Sequence, residues 1–180
     1  MSWVLANLPT IAGHLLAHLL QAVPAIVASF VLAIPIARLA RVARPLRALL
    51  VTGSSLLYAV PSLALFVILP IILATGIRDP LNVIVALTLY GLALLVPATA
   101  DALDAVDARV LDAATAMGMG RLRCFLTVEL PLAGPAILTG LRVVTVSTIS
   151  LTTVGAVLGV RSLGWLFTDG FQRGITAEIV

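Results

Sequence analysis

Long apolar stretches, separated by short groups of charged residues, are the feature that most constrains the fold of this chain. No charged side chain occurs between Met1 and Ala37, and further apolar stretches follow the arginines at 38–47. Hydrophobic residues make up 61% of the 180 residues and charged residues only 11%, whereas a soluble domain is about 45–50% apolar and about 25% charged. A water-soluble fold of this size has too little interior for so much apolar surface. The sequence therefore predicts a protein folded in lipid.

Four segments are long enough to cross a bilayer as helices, which takes about 20 largely apolar residues. They are residues 15–37, 48–73, 81–100 and 132–160. The first two contain Pro24, Pro35, Pro61 and Pro70, which a membrane helix tolerates as kinks when neighbouring groups satisfy the freed carbonyls. We expect an all-α, polytopic membrane helical bundle that forms a single domain over residues 1–180. Because no basic residue precedes the first apolar stretch, we expect it to remain in the mature protein.

The arginines predict the orientation of the bundle, because positive charge is enriched in cytoplasmic loops. Four arginines lie between the first two segments, and Arg109, Arg121 and Arg123 follow the third. The connection between the second and third segments carries only Arg78 and Asp79. The two arginine-rich loops should therefore be cytoplasmic, and the N-terminus should lie outside.

Residues 101–131 are too polar for the bilayer and too strongly patterned for a slack linker. Asp107 can cap the start of a helix over residues 108–117, and Gly118 follows where a left-handed residue ends a helix. We expect a second helix over residues 121–130, stopped by Pro131. The first helix has a nearly bare surface of small side chains, Ala113, Ala114 and Ala116. That surface suits either docking of another protein or packing on the chain's own bundle, and the residues alone do not separate the two.

The spacing within this loop follows a known motif. Asp112-Ala113-Ala114 is followed after three residues by Gly118, and Val128-Glu129-Leu130-Pro131 begins after nine more. This register resembles the Glu-Ala-Ala motif of ABC importer permeases, with Asp112 in place of the glutamate. Residues 57–66 and the Gly159 to Gly164 turn also resemble the osmoprotectant branch, which carries glycine betaine and choline. The resemblance covers roughly residues 15–180.

The resemblance implies a type I ABC importer permease that works with several partners. These are a separate ABC ATPase subunit, a second permease copy or a related permease, an external solute-binding protein and the surrounding membrane lipid. ATP and Mg²⁺ would be bound by the ATPase, so this chain would bind no cofactor and would not itself be an enzyme. The membrane would be the bacterial cytoplasmic one. The residues that the resemblance assigns to the ATPase-docking coupling loop are Asp112, Ala113, Ala114, Gly118, Val128, Leu130 and Pro131.

Polar groups at membrane depth form a candidate translocation path. Tyr58, Pro61 and Ser62 lie together in the second segment, and Tyr90 lies in the third. Polar residues in membrane spans are often functional, and a tyrosine ring can attract a quaternary ammonium group. The alternative is packing, with the hydroxyl groups bridging neighbouring helices.

The fourth segment ends in a small-residue pattern, Gly155-x-x-x-Gly159, preceded by several serines and threonines. Such patterns let membrane helices approach closely. We therefore assign Gly155 and Gly159 to helix packing.

Several other functions are excluded by residues that the sequence lacks. It contains no lysine, which excludes a P-loop ATPase, and its arginines lie at the ends of apolar runs rather than in a nucleic-acid patch. His14 and His18 stand one helical turn apart, but without a third ligand nearby we expect an interfacial position and no metal site. No catalytic constellation is present, so energy must come from a partner.

Alternative functions remain at this point. Permeases for methionine and other amino acids share the same motif and arrangement of spans, so the chain could belong to either kind. The superfamily core has five spans and this sequence supplies four, so we expect the last core span to be lacking. A further interpretation is therefore that the chain is a truncated membrane protein that does not transport a solute. A self-contained, proton-driven four-helix carrier would need a carboxylate in the middle of a span, and the acids here lie in loops or at span ends.

Overall fold

The structure is a computed structural model that describes residues 2–42 and 44–179. Every regular element in these residues is helical, which confirms the predicted all-α class. The predicted domain bounds, Met1 and Val180, lie outside the described residues. The elements are α1 (Ser2–Ala6), α2 (Leu8–Val42), α3 (Arg44–Ala59), α4 (Ser62–Leu73), α5 (Pro80–Asp104), α6 (Ala108–Ala116), α7 (Arg121–Cys124), a π-helical turn (Phe125–Glu129), α8 (Leu130–Thr152), a 3-10 helix (Thr153–Leu158), α9 (Gly164–Arg173) and α10 (Thr176–Ile179).

Three helical stretches in the described residues are long and apolar enough to cross a membrane. They are Leu8–Arg41, Pro80–Asp104 and Arg121–Leu158. Each contains one of the predicted segments or most of it, and each extends beyond the predicted bounds. The first and third predicted segments lie wholly inside α2 and α5, and the fourth begins in α8 and ends just past the 3-10 helix.

The second predicted segment is broken rather than kinked. Its two halves, Thr52–Ala59 and Ser62–Leu73, meet at an angle of 104°, so they form either a broken span or a re-entrant loop. The break falls at Pro61, which has no N–H to donate to the Leu57 carbonyl. The Val60 N–H donates to that carbonyl instead, at 3.2 Å. Pro24 and Pro35 lie inside α2 without ending it.

The centre of the bundle is α5, which packs against α2, α3 and α8. One face of α2 carries a stripe of small, fully buried residues at every fourth position, Ala25, Ser29, Ala33 and Ala37. Residues at this spacing lie on one side of a helix. Small side chains let two membrane helices approach closely, and α5 places Gly91 directly opposite Ser29.

The bundle has two ends that differ in their residues. At one, which we call the loop end, α2 finishes near Arg41, α5 finishes at Asp104 and α6 follows. At the other, the far end, α5 begins after Arg78, and Arg161 lies between the 3-10 helix and α9. α2 and α5 therefore run in the same direction, towards the loop end, and α8 runs back towards the far end.

The predicted loop over residues 101–131 is shorter in the structure than in the prediction. Its first residues belong to α5, and its last residues, from Arg121, belong to a helix that continues into α8. Pro131 does not stop this helix, which corrects the prediction. The backbone widens into the π-helical turn, where the Leu130 N–H donates to the Phe125 carbonyl. This turn changes the hydrogen-bond register just before Pro131, so the missing N–H of Pro131 falls beside the π-helical turn and does not end the helix.

The outer surface of the bundle is strongly apolar. Large hydrophobic side chains are exposed along α2, α4 and α8, for example Leu20, Ile71, Ile72, Leu138 and Val146. Exposed apolar area of this extent needs a partner other than water, either lipid or another helix.

Candidate functional site

The loop end presents a short helix with well-defined ends. The Asp107 side chain accepts a hydrogen bond from the Arg109 N–H at 2.9 Å, which caps the first turn of α6. At the other end the Gly118 N–H donates to the Thr115 carbonyl at 2.9 Å, and the Met119 N–H donates to Ala114 at 3.2 Å. This pair of bonds is a Schellman motif, which needs a left-handed residue, and Gly118 has φ +84°.

The motif residues on and after α6 differ in their accessibility. Asp112, Ala113 and Gly118 are exposed, whereas Ala114 is 2% exposed and faces its own chain. Met117 is 72% exposed beside Gly118. One side of α6 therefore packs on the chain's own bundle, and the other side is open at the loop end.

The remaining motif residues lie away from that open surface. Val128 is half-buried in the π-helical turn, and Leu130 packs against a buried cluster that includes Phe125 and Ile137. Pro131 is exposed in the first turn of α8. The second half of the motif thus forms the connection between the α6 region and α8.

Charged side chains join several helices at the loop end. Arg41 of α2 contacts Asp104 at 2.8 Å and also binds Glu129 of the π-helical turn. Arg47 of α3 binds Asp104 and lies 3.6 Å from Asp101. This network was not predicted, because its members are far apart in the sequence.

A cation–π contact also joins helical segments at the loop end. The Arg38 guanidinium carbon lies 4.1 Å from the centroid of the Phe125 ring. The contact joins α2 to the start of the π-helical turn, beside the ion pairs. Three of the arginines that predicted the orientation, Arg38, Arg41 and Arg47, therefore also join helices at the loop end.

The four residues of the candidate translocation path meet at the break between α3 and α4. The Tyr90 hydroxyl donates to the Val60 carbonyl, which the break at Pro61 leaves without its usual helical donor. The Tyr58 and Tyr90 rings pack edge to face, with centroids 6.0 Å apart and planes at 84°. Tyr90 is buried, but Tyr58 is 47% exposed, and Ser62 is half-buried beside Pro61 at the start of α4.

Gly155 and Gly159 do not form a helix-packing pair, which corrects their assignment as one unit. The helix tightens from α to 3-10 at Thr153, so the two glycines no longer share a face. Gly155 does pack closely, because a Cβ there would lie 3.2 Å from the Val83 side chain. Gly159 has φ +82° and ends the 3-10 helix.

The two histidines of α2 are buried within the bundle. His14 and His18 are 4% and 2% exposed. The His14 ring stacks on Trp165 of α9, with centroids 6.3 Å apart. Only the fold brings these rings together, since they lie at opposite ends of the sequence. The described parts of the chain contain no group of three His, Cys, Asp or Glu residues suited to a metal.

Comparison with known proteins identifies the family. The family of binding-protein-dependent transport system inner membrane components matches residues 25–180. The chain is 34% identical over 134 residues to the ergothioneine transport permease/ergothioneine binding protein EgtU of Helicobacter pylori (strain G27), covering 74% of this chain and 24% of that protein. It is 28% identical to the glycine betaine/carnitine/choline permease protein OpuCD of Bacillus subtilis (strain 168), covering 85% and 66%. The osmoprotectant import permease protein OsmW of Salmonella typhimurium is 32% identical, covering 67% and 57%. The chain thus spans less than two thirds of the length of each of these relatives.

Solved structures show the same fold. An inward-facing structure of the MetNI methionine ABC transporter superposes with a TM-score of 0.80 at 19% identity, covering 94% of this chain and 84% of that one. A structure of an amino acid ABC transporter with histidines gives 0.74 at 16% identity. At these identities the likeness concerns the fold, which is that of an ABC importer permease. With its family matched over most of its length and with three apolar spans, this chain is an integral membrane protein that belongs to the inner membrane components of binding-protein-dependent transport systems.

Proposed function

We propose that the chain is the membrane-spanning permease subunit of an ABC importer for an osmoprotectant of the glycine betaine, carnitine and choline class. Members of its family are transport subunits rather than enzymes. Its relatives in Bacillus and Salmonella are named for glycine betaine, carnitine, choline and osmoprotectant transport, which supports this substrate class over an amino acid. An external binding protein delivers the solute, and a separate ATPase that holds ATP and Mg²⁺ drives its passage.

The observation that carries this proposal is the open side of α6. Asp112, Ala113 and Gly118 are exposed together at the loop end, on a helix whose two ends are fixed by its own hydrogen bonds. A short, rigid helix with small side chains can enter a groove on another protein at little cost in conformational entropy. We assign this surface to the ATPase, with Val128, Leu130 and Pro131 connecting it to α8.

The orientation and the path follow from the same assignment. The loop end faces the cytoplasm, in agreement with its arginines, and the N-terminus faces outward. The solute passes beside the break at Pro61, where Tyr58 offers an exposed ring to a quaternary ammonium group. A second permease, identical or related, covers part of the exposed apolar surface and completes the path.

Co-purification of an osmoprotectant-type ATPase with variants at Gly118 tests the docking surface. Gly118→Leu forces a branched side chain into a left-handed conformation, which costs about 1–2 kcal/mol, and it adds bulk at the contact. Gly118→Asn keeps the left-handed conformation, which asparagine tolerates. Gly120→Leu is the matched control, because Gly120 has an ordinary φ of −67° and open space around it.

We expect the wild type and Gly120→Leu to retain the ATPase and Gly118→Leu to lose it. Gly118→Asn shows which property of Gly118→Leu causes the loss of the ATPase. If the asparagine variant retains the ATPase, the cause is the strained backbone conformation. If it also loses the ATPase, the cause is steric exclusion at the docking surface. Uptake of labelled glycine betaine into proteoliposomes, driven by ATP and the binding protein, should follow ATPase retention. Normal retention and uptake in Gly118→Leu would show that α6 is not the docking surface.

A further inference from the structure

A polar cavity lies at the far end of the bundle, opposite α6. It is lined by His14, Arg78, Gly159, Arg161 and Trp165 and has a volume of about 360 Å³. Small-molecule sites occupy about 300–1,000 Å³. Two neighbouring cavities share Arg78 and Gly159 with it. The three cavities therefore adjoin one another at Arg78 and Gly159.

Arg78 and Arg161 line this cavity, and the Glu178 carboxylate lies close enough to act electrostatically on His14. Neither Arg78 nor Arg161 has a carboxylate oxygen within 4.0 Å in the part of the chain that the structure describes. Asp169, which lines a neighbouring cavity, is already paired with Arg173 at 3.0 Å. Two guanidinium groups suit a carboxylate, because each offers several N–H donors in a planar fork.

Two stacked aromatic rings, those of Trp165 and His14, line the cavity beside these arginines. Trp165 is 38% exposed, and its ring stacks nearly parallel to the ring of His14, at 9°. Of the aromatic side chains, tryptophan attracts a cation most strongly. His14 is buried behind it, and its Nδ1 has no hydrogen-bond partner. The cavity therefore joins groups for an anion and for a cation.

The cavity is held in shape by hydrogen bonds from Gln21. The Gln21 Nε2 donates to the Arg161 carbonyl at 2.7 Å and to the Ala17 carbonyl at 2.8 Å, which ties the Arg161 segment to α2. The Gln21 Oε1 is buried without a partner. At Gly159 a Cβ would lie 3.1 Å from the Nε of Arg78, so the glycine leaves room for that side chain.

We propose that this cavity binds a small zwitterion that carries both a carboxylate and a trimethylammonium group. Arg78 and Arg161 bind the carboxylate, and Trp165 contacts the cation. The choice of a trimethylammonium compound rests on the proposed function, whereas the preference for a carboxylate rests on the two arginines. The site thus distinguishes glycine betaine from choline, which has the same cation and a hydroxyl group in place of the carboxylate.

Trp165 is itself the reporter for the test. The sequence has two tryptophans, so Trp3→Phe leaves Trp165 as the one that fluoresces. The purified full chain, in a maltoside detergent without lipid phosphate, is titrated with glycine betaine and separately with choline. We expect a saturable change in fluorescence with glycine betaine and binding at least tenfold weaker with choline.

Variants of the arginines complete the test. Arg78→Gln and Arg161→Gln should each weaken glycine betaine binding about tenfold or more, because each removes a charge-assisted hydrogen bond. Arg123→Gln, a change of the same charge at the exposed loop end, should bind normally. Equal binding of choline and glycine betaine, or unchanged binding in both arginine variants, would overturn the proposal.

Transport assays separate this inference from the proposed function. If the assembled importer takes up glycine betaine but Trp165 does not respond to it, the far-end site is wrong and the importer assignment stands. If Trp165 responds with the expected selectivity but no uptake occurs with the ATPase and binding protein present, the site stands and the importer assignment fails.

Discussion

The contact between Gly91 of α5 and Ser29 of α2 allows a prediction of how tightly these helices pack. A Cβ added at Gly91 would lie 2.1 Å from the Ser29 Oγ and 2.7 Å from the Ser29 Cβ. The Ser29 hydroxyl bonds to the carbonyls of Ala25 at 2.7 Å and Thr88 at 3.1 Å. It cannot turn away without losing these bonds, so Gly91→Ala must push the two helices apart.

The size of the effect follows from three terms. Overpacking a core costs about 1–3 kcal/mol, and a lost hydrogen bond between membrane helices costs about 0.6 kcal/mol. Replacing a helical glycine by alanine returns about 1 kcal/mol. We therefore expect Gly91→Ala to lower the free energy of unfolding by about 0.6–2.6 kcal/mol. Gly53→Ala is the matched control, because nothing lies within 4 Å of its added Cβ, and it should be neutral or slightly stabilising.

Reversible unfolding of the purified chain in mixed detergent micelles measures these differences. The double variant Gly91→Ala with Ser29→Gly should recover most of the stability, because it removes the atoms that the new Cβ meets. If Gly91→Ala is as stable as Gly53→Ala, the close approach of α2 and α5 is not what stabilises the bundle.

Two further predictions concern the sites. Tyr90→Phe removes the donor to the Val60 carbonyl at the helix break, so the free energy of unfolding should fall by about 0.6–2 kcal/mol in the same micelle assay, and a Tyr58→Phe control should unfold normally. The pKa of the Asp107 carboxyl group lies below its ordinary value of 3.8, because the Arg109 guanidinium and then the Arg109 backbone N–H donate hydrogen bonds to it. Its capping effect is therefore full at neutral pH and is lost as pH falls through that lowered pKa. Hydrogen exchange of the first α6 amides should accordingly be faster in Asp107→Ala than in Asp107→Asn at neutral pH, and equal rates would contradict the cap.

The sequence predicted the features that depend on local pattern. Apolar length located the long helices, and the cap at Asp107 and the glycine at 118 located both ends of α6 to within one residue. These features depend on hydrogen bonds and hydropathy within a single stretch of chain. For that reason they can be inferred without knowing which helices are neighbours.

The features that sequence reasoning missed depend on neighbours. Pro24 and Pro61 look alike in the sequence, yet the first lies within α2 and the second ends a helix. At Pro61 the freed carbonyl of Val60 is taken by Tyr90 from another helix, which makes the break tolerable. The burial of His14 likewise depends on Trp165, near the other end of the sequence. No local pattern contains such information.

The ion pairs at the loop end explain how the two halves of the motif can act together. Glu129 lies between the motif residues Val128 and Leu130 and binds Arg41 of α2, which also binds Asp104 at the end of α5. Arg38 adds a contact to Phe125 at the start of the same turn. Exposed ion pairs are individually worth only about 0–1 kcal/mol, so their main effect is to fix the positions of these helices relative to one another. Under the docking that we propose, a movement of α6 passes through the Gly118 turn to the continuous helix that begins at Arg121, and from there to α8 and, through the Glu129–Arg41 pair, to α2. This proposal gives the second half of the motif a connecting role, although it does not face the open side of α6.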